Sequence, residues 1–227
     1  MPNLVDLDLE LKTAEPDRWL STRFIADPEK RADVVAFYAF DHALARIAHA
    51  VTQPMLGDIR LAWWREAVEE AVAGKPPRAH PVVEALSVAI GRRGLSIGPF
   101  ETLIEARARD LDAAPLGLAE AVRYAEASAG SVMSIAARLL GPHTIPDLSA
   151  VGRAWGVARL ATERRLTPDV DAQDIVAKSL AQTPKLSSEA FPAIAYATLA
   201  RDYARGRTPS AFGKQLRLFW AVARGSI

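Results

Sequence analysis

The stretch "ADPEKRADVVAFYAFDHALARIAHAV", residues 26–51, decides the fold class. It opens on Asp27-Pro28-Glu29. Asp27 can cap a helix, and Pro28 takes the first helical position, where a missing N–H costs nothing. Glu29 then meets the positive end of the helix dipole. Behind this start, Phe37, Phe40, Leu44, Ile47 and Val51 recur at steps of three and four, the period of one helix face. The same reading carries outward to "GDIRLAWWREAVEEAV", 57–72. There Leu61, Trp64, Val68 and Val72 share one face and Ile59 and Trp63 another, the pattern of a helix buried between neighbours.

Proline and glycine cluster at 74–81, 94–99, 141–147, 167–171, 182–185 and 207–210, where they mark connectors. The periodic segments between them predict helices near 82–91, 99–113, 117–140, 148–165, 172–181, 188–205 and 210–224. Only "LVDLDLEL", 4–11, alternates. It allows a short strand, but one strand cannot make a sheet, so 1–17 reads as an N-terminal tail, mobile or packed. No composition shift marks a boundary. The expectation is an all-α single domain over 18–227, with antiparallel helices joined by short loops.

Composition narrows the function classes. The formal net charge of +1 offers no basic stripe, and nucleic acid is not expected as a partner. The sequence has no cysteine, which excludes disulfides, iron–sulfur clusters, thiolate zinc sites and a cysteine nucleophile. It has no "GxSxG" and no glycine-rich phosphate loop. No run reaches the about 20 apolar residues that a membrane span needs. The acidic start "MPNLVDLDLELK" lacks the features of a signal peptide or a mitochondrial presequence, so the expected location is cytoplasmic.

Four stretches, read in order, carry a resemblance. They are "RWLSTRFIADPEKRADVVAFYAF" (18–40), "LGDIRLAWWREAVEEA" (56–71), "LIEARARDLD" with "YAEASAGSVMSIAARLLG" (103–112, 124–141), and "VGRAWGVARLATERRL" (151–166). In this order and spacing they resemble the squalene/phytoene synthase family. The resemblance implies a helical bundle of the terpenoid (isoprenoid) synthase type around an apolar cavity, with a C-terminus shorter than the enzymes have. It also implies chemistry: such enzymes join prenyl diphosphates, and two aspartate-rich motifs hold Mg2+ against the leaving group. Hard cations bound by carboxylates stabilise that concentrated negative charge.

At the matching positions the sequence departs from the enzymes. The first motif reads Ala45, Arg46 and His49. The second reads Arg159, Glu163 and Thr167, with Gly156 in place of a glutamine. Only Glu163 is acidic. Arginines on both segments would repel magnesium, and Arg159 and Glu163 are spaced to pair on one helix. "LIEARARDLD" and "YAEASAGS" resemble a non-catalytic branch of the family, whose members include the phytoene-synthase-related mitochondrial assembly factor for respiratory complex I. That branch implies no metal cofactor, and complex I subunits or assembly factors as partners. Candidate cavity or anion-binding residues are Tyr38, Arg46, His49, Arg60, Trp64, Arg159 and Glu163. They would serve a lipid or prenyl diphosphate held without metal.

Several alternatives stay open. The chain remains a magnesium-dependent prenyl transferase if Asp41, Asp58, Asp110 and Asp112 supply the ligands. Arg46, Arg159, Arg164 and Arg165 either bind an anion directly or pair with acids and solvent, the second being preferred. His42 and His49 are expected to be partly buried and hydrogen-bonded, His80 and His143 to lie on surface loops. Trp63 and Trp64 are read as core before cavity wall. The last helix, "GKQLRLFWAVARGSI" (213–227), is expected to pack its aromatic face on the bundle. The competing reading gives it peripheral contact with the inner face of a membrane.

Overall fold

The computed structural model describes residues 4–141 and 144–227, with side chains from Asp6 onward. His143 lies outside the described residues. Among those described the protein is helical, and strand-like pairing is confined to an isolated bridge between Leu116 and Leu166. The chain divides into two compact units, 1–112 and 113–227. The alanine-rich composition runs evenly across that division, which is why no boundary shows in the sequence.

The first unit holds α1 (Leu4–Ala14), α2 (Pro16–Thr22), α3 (Pro28–Ala45), α4 (Ile47–Ala50), α5 (Pro54–Val72), α6 (Pro81–Arg93) and α7 (Gly98–Ala108). The stretch 4–11, whose alternation allowed a strand, is helix: Leu7 and Leu11 bury themselves as α1 packs along α3. Spaced four apart, these two leucines are also a helix period, which wins once α3 offers a surface. The Asp27 carboxylate caps α3, accepting from the Glu29 N–H at 2.8 Å and the Lys30 N–H at 3.2 Å. Those bonds, Lys30's first, hold its pKa below the usual value. Asp27→Ala is expected to lower the melting temperature of the protein by about 2–4 °C in a thermal scan.

The core of this unit forms where α3 meets α6, α5 and α7. Phe37, Phe40 and Phe100 are fully buried, and Phe40 meets Trp64 edge-on with ring centroids 5.4 Å apart. Such contacts add about 0.5–1.5 kcal/mol beyond area burial. α5 is buried on one face, not two. Leu61, Trp64 and Val68 are inside, but Ile59 is 58% exposed and Trp63 only half-buried. The sequence pattern could not tell a second buried face from a displayed one.

The second unit holds α8 (Leu118–Ala125), a π turn (Glu126–Gly130), α9 (Ser131–Leu140), α10 (Ser149–Thr162), α11 (Ala172–Leu180), α12 (Ala200–Ala204) and α13 (Ala211–Arg224). α10 is its axis, packed by α8, the π turn, α11 and α12. The helix expected over 188–205 is mostly tight 3-10 turns, Phe191–Ala193 and Ala195–Leu199, before α12. Pro192 lacks the N–H a regular helix would use, and buried Phe191, Ile194, Tyr196 and Leu199 fix the turns by packing.

The central crossing depends on glycine. A Cβ on Gly152 would stand 2.3 Å from both Cα and N of Gly130, and one on Gly156 would stand 2.5 Å from the Ala125 Cβ. The segment "YAEASAGS" builds the other side. The Ser128 hydroxyl donates to the Tyr124 carbonyl at 2.6 Å, the backward bond that accompanies bent and widened turns. Glu126 pairs with Arg153 of α10 at 2.8 Å.

Candidate functional site

The first set of motif positions sits where α3 ends. Ala45 is the last residue of α3, Arg46 caps it, and His49 belongs to the four-residue α4. Arg46 and His49 are exposed, and the Arg46 guanidinium lies 3.8 Å from the Glu10 carboxylate of α1. With Asp6, Leu9, Glu10, Thr13, Ala14 and His42, Arg46 lines an open cleft of about 480 Å3 between α1 and α3. His42 is half-buried, its Nδ1 3.8 Å from Glu15. Of the other candidates here, Arg60 is exposed on α5. Tyr38 is fully buried, with the Arg18 guanidinium 5.7 Å from its ring centre. Trp64 is buried between Phe40 and His80, whose ring centroid is 5.1 Å away.

His80 is no ordinary surface residue. Its Nδ1 accepts from the Val82 N–H at 3.3 Å and so caps α6, and burial pushes its pKa down. The "HP" that precedes the helical period at 81 was a legible cap signal. Arg78, 5.3 Å above the Trp63 ring, is gripped by Glu70 and Glu66 at 2.8 and 2.9 Å.

The alternative acids are already engaged or misplaced. Asp41 is fully buried on the apolar face of α3. One oxygen accepts from Arg18 at 2.5 Å, the other from Arg107 at 2.6 Å. Burial pushes its pKa up, but the Arg107 and then the Arg18 charge outweigh that and hold it below the usual range. Arg107 also reaches Asp110 at 3.3 Å, and Arg109 stands 3.6 Å from Asp112. Asp58 is exposed on α5. The segment "LIEARARDLD" therefore supplies the cation that makes a buried Asp41 tolerable. The sequence signals the need but not the partners: an acid one turn after Phe37 and one before Leu44 requires donors or a counter-charge.

A second buried acid, Asp33, is held by Arg92 at 2.6 Å and Arg93 at 2.8 Å, tying α3 to α6. Here burial wins over the arginines, and the pKa is raised.

The second set of positions lies at the end of α10. Helix stops at Thr162, Glu163 is its cap, and Arg164 turns the chain with φ of 57°. A left-handed residue here is a common helix terminator, though glycine usually fills it. Thr167 is therefore not one helical turn beyond Glu163. It follows the bridge residue Leu166, its N–H donating to the Leu116 carbonyl at 3.0 Å while the Leu116 N–H donates to the Arg165 carbonyl at 2.7 Å. Arg159 pairs with Glu163 at 3.2 Å, and the Arg165 guanidinium lies 5.8 Å over the Tyr124 ring. Gly156 faces Ala125, so a glutamine has no room there.

These residues do not fit magnesium. In neither unit do the motif positions present paired carboxylates, and the one acid, Glu163, is partnered by arginine. Among the described residues, no group of three or more His, Asp or Glu is placed to hold a metal ion. Hard cations take about six oxygens, of which proteins usually supply several as carboxylates.

Known proteins resemble this chain in sequence or in fold. Human "NADH dehydrogenase (ubiquinone) complex I, assembly factor 6" is 30% identical over 147 residues, covering 62% of this chain and 42% of that protein. The matched segment is thus less than half of the relative's length. A dehydrosqualene synthase crystallised with ligand superposes with a TM-score of 0.74 at 16% identity, over 97% of this chain and 95% of that one. The squalene synthase HpnC from Alicyclobacillus acidocaldarius follows with a TM-score of 0.59 at 17% identity, over 97% and 96%. At those identities the likeness is one of fold. The sequence model of the squalene/phytoene synthase family matches residues 11–163, from α1 through the cap of α10, and the chain belongs to that family.

Proposed function

We propose that this protein is a non-catalytic member of its family that supports the assembly of respiratory complex I. One observation carries the reading. Where the family's chemistry calls for carboxylates around magnesium, the chain presents Ala45, Arg46, His49, Arg159 and Thr167, and a single Glu163 bound to Arg159. The similarity to a complex I assembly factor supplies the role. Its partners would be complex I subunits or other assembly factors, met at the cytoplasmic face of the respiratory membrane. Among the described residues no helix is long and apolar enough to cross a membrane, so contact there would be peripheral.

The transferase alternative is not favoured, because Asp41 already spends both oxygens on Arg18 and Arg107. Metal-free anion binding by Arg159 or Arg46 competes with Glu163 and Glu10.

Two measurements test the proposal together. Deleting the gene in its own host should lower complex I abundance and membrane NADH oxidation several-fold, with the other respiratory complexes unchanged. Purified protein given farnesyl diphosphate and Mg2+ should form no product above a protein-free control. Normal complex I in the deletion strain removes the assembly role, and prenyl transfer removes the inactive one.

A further inference from the structure

α13 turns its aromatic side outward. It buries Leu218 and Ala221 against the second unit, beside the 3-10 turn Ala195–Leu199. On the opposite side Phe212, Leu216, Phe219 and Trp220, spaced i, i+4, i+7 and i+8, are 73%, 47%, 53% and 49% exposed. This reverses the expectation that the helix packs its aromatics on the bundle. Leu218 and Ala221 suffice to anchor it, and the larger apolar face is left over.

The charge of this end of the chain is one-sided. Between residues 200 and 227 the only acid is Asp202, which is buried and bound by Arg217. Arg201, Arg205, Arg207 and Arg224 are exposed, Arg205 and Arg207 in the loop that leads into α13. The Arg224 guanidinium lies 5.2 Å over the Trp220 ring, so a cation sits directly on the displayed apolar face. The chain as a whole is nearly neutral, at +1, so this concentration of cations is local.

We propose that α13 docks on an anionic lipid surface, with Phe212, Leu216, Phe219 and Trp220 entering the headgroup–acyl boundary and the arginines meeting lipid phosphates. A displayed aromatic stripe bordered by cations is the signature of a helix lying in a membrane interface. The attraction of each basic residue to such a surface falls off within a Debye length, and that length shortens as salt rises. A second copy of the chain is the weaker occupant, because two such faces would bring like charges together. The inference is independent of the assembly reading and holds whether or not the protein acts on complex I.

The test is co-sedimentation of the full chain with vesicles. Phosphatidylcholine vesicles containing phosphatidylglycerol should carry the protein down, and phosphatidylcholine alone should not. Phe219→Glu with Trp220→Glu should cut the bound fraction about tenfold. Both side chains lie outside the core, so the thermal transition should not move. Arg205→Gln with Arg207→Gln, which leaves every apolar contact intact, should weaken binding several-fold, and about 0.5 M salt should do the same to the wild type. No sedimentation with the anionic vesicles overturns the proposal, as does equal sedimentation of the aromatic variant. So does equilibrium sedimentation showing a wild-type dimer that the aromatic variant splits, without vesicle binding.

Discussion

Asp41→Ala is expected to destabilise the protein by about 3–5 kcal/mol, enough to leave much of it unfolded at 37 °C. The cost is not the loss of one attractive contact. Arg18 and Arg107 have side chains only 7% and 11% exposed, and both would lose the buried carboxylate they share, with Arg107 keeping its longer contact to Asp110. Asp41→Asn should cost nearly as much, since it keeps the shape and removes the charge. Chemical denaturation of the three proteins reads this directly.

The pH dependence has a definite sign. The folded pKa of Asp41 lies below the ordinary 3.8, so its contribution is complete above that value and is lost as pH falls through the folded pKa. Asp33 works the other way: its folded pKa is raised, so its contribution is greatest below 3.8 and declines as pH rises through the folded value. Stability followed from pH 7 into the acid range should therefore fall less steeply in Asp41→Asn than in the wild type. An unchanged profile would mean that the guanidiniums do not control this carboxylate.

The second large effect belongs to Gly152. Gly152→Ala places a methyl carbon 2.3 Å from the Gly130 backbone, a distance that neither side can concede by rotating a side chain. α10 and the π turn must separate, and we expect a loss of about 3 kcal/mol, at the upper end of overpacking costs. Gly152→Ser should be at least as costly. Gly91→Ala, on an open helix face with nothing within 4 Å, should be neutral or slightly stabilising and is the control. Melting curves of the three variants would show the difference.

Most of the architecture was legible because helix period, cap and breaker are local signals. Asp27-Pro28 opened α3 where expected, and the proline and glycine clusters fell between helices. What could not be read was which side of a helix meets another. Ile59 and the aromatics of α13 are apolar by sequence and exposed in fact, because burial depends on partners far away in the chain. The failure at 188–205 is of another kind: alanine content favours helix, and tertiary packing of Phe191 and Tyr196 overrides it.

At the candidate site the residue identities were visible, and the pairing of Arg159 with Glu163 followed from their spacing. The grip of Arg18 and Arg107 on Asp41 was not visible, since it joins residues 23 and 66 positions apart. The loss of helix after Thr162 was hidden as well, because Arg164 adopts a backbone conformation that arginine seldom takes.

That turn at Arg164 bears on what substitution can achieve here. An aspartate introduced at 167 would hang from the bridge beside Leu116 instead of standing one turn above Glu163. Acids placed singly at these positions therefore cannot make a facing carboxylate pair. Five residues of backbone would have to rewind first, and each step would give up the Leu116–Leu166 pairing before anything was gained. Main-chain geometry constrains this end of α10 more firmly than the identity of any one side chain.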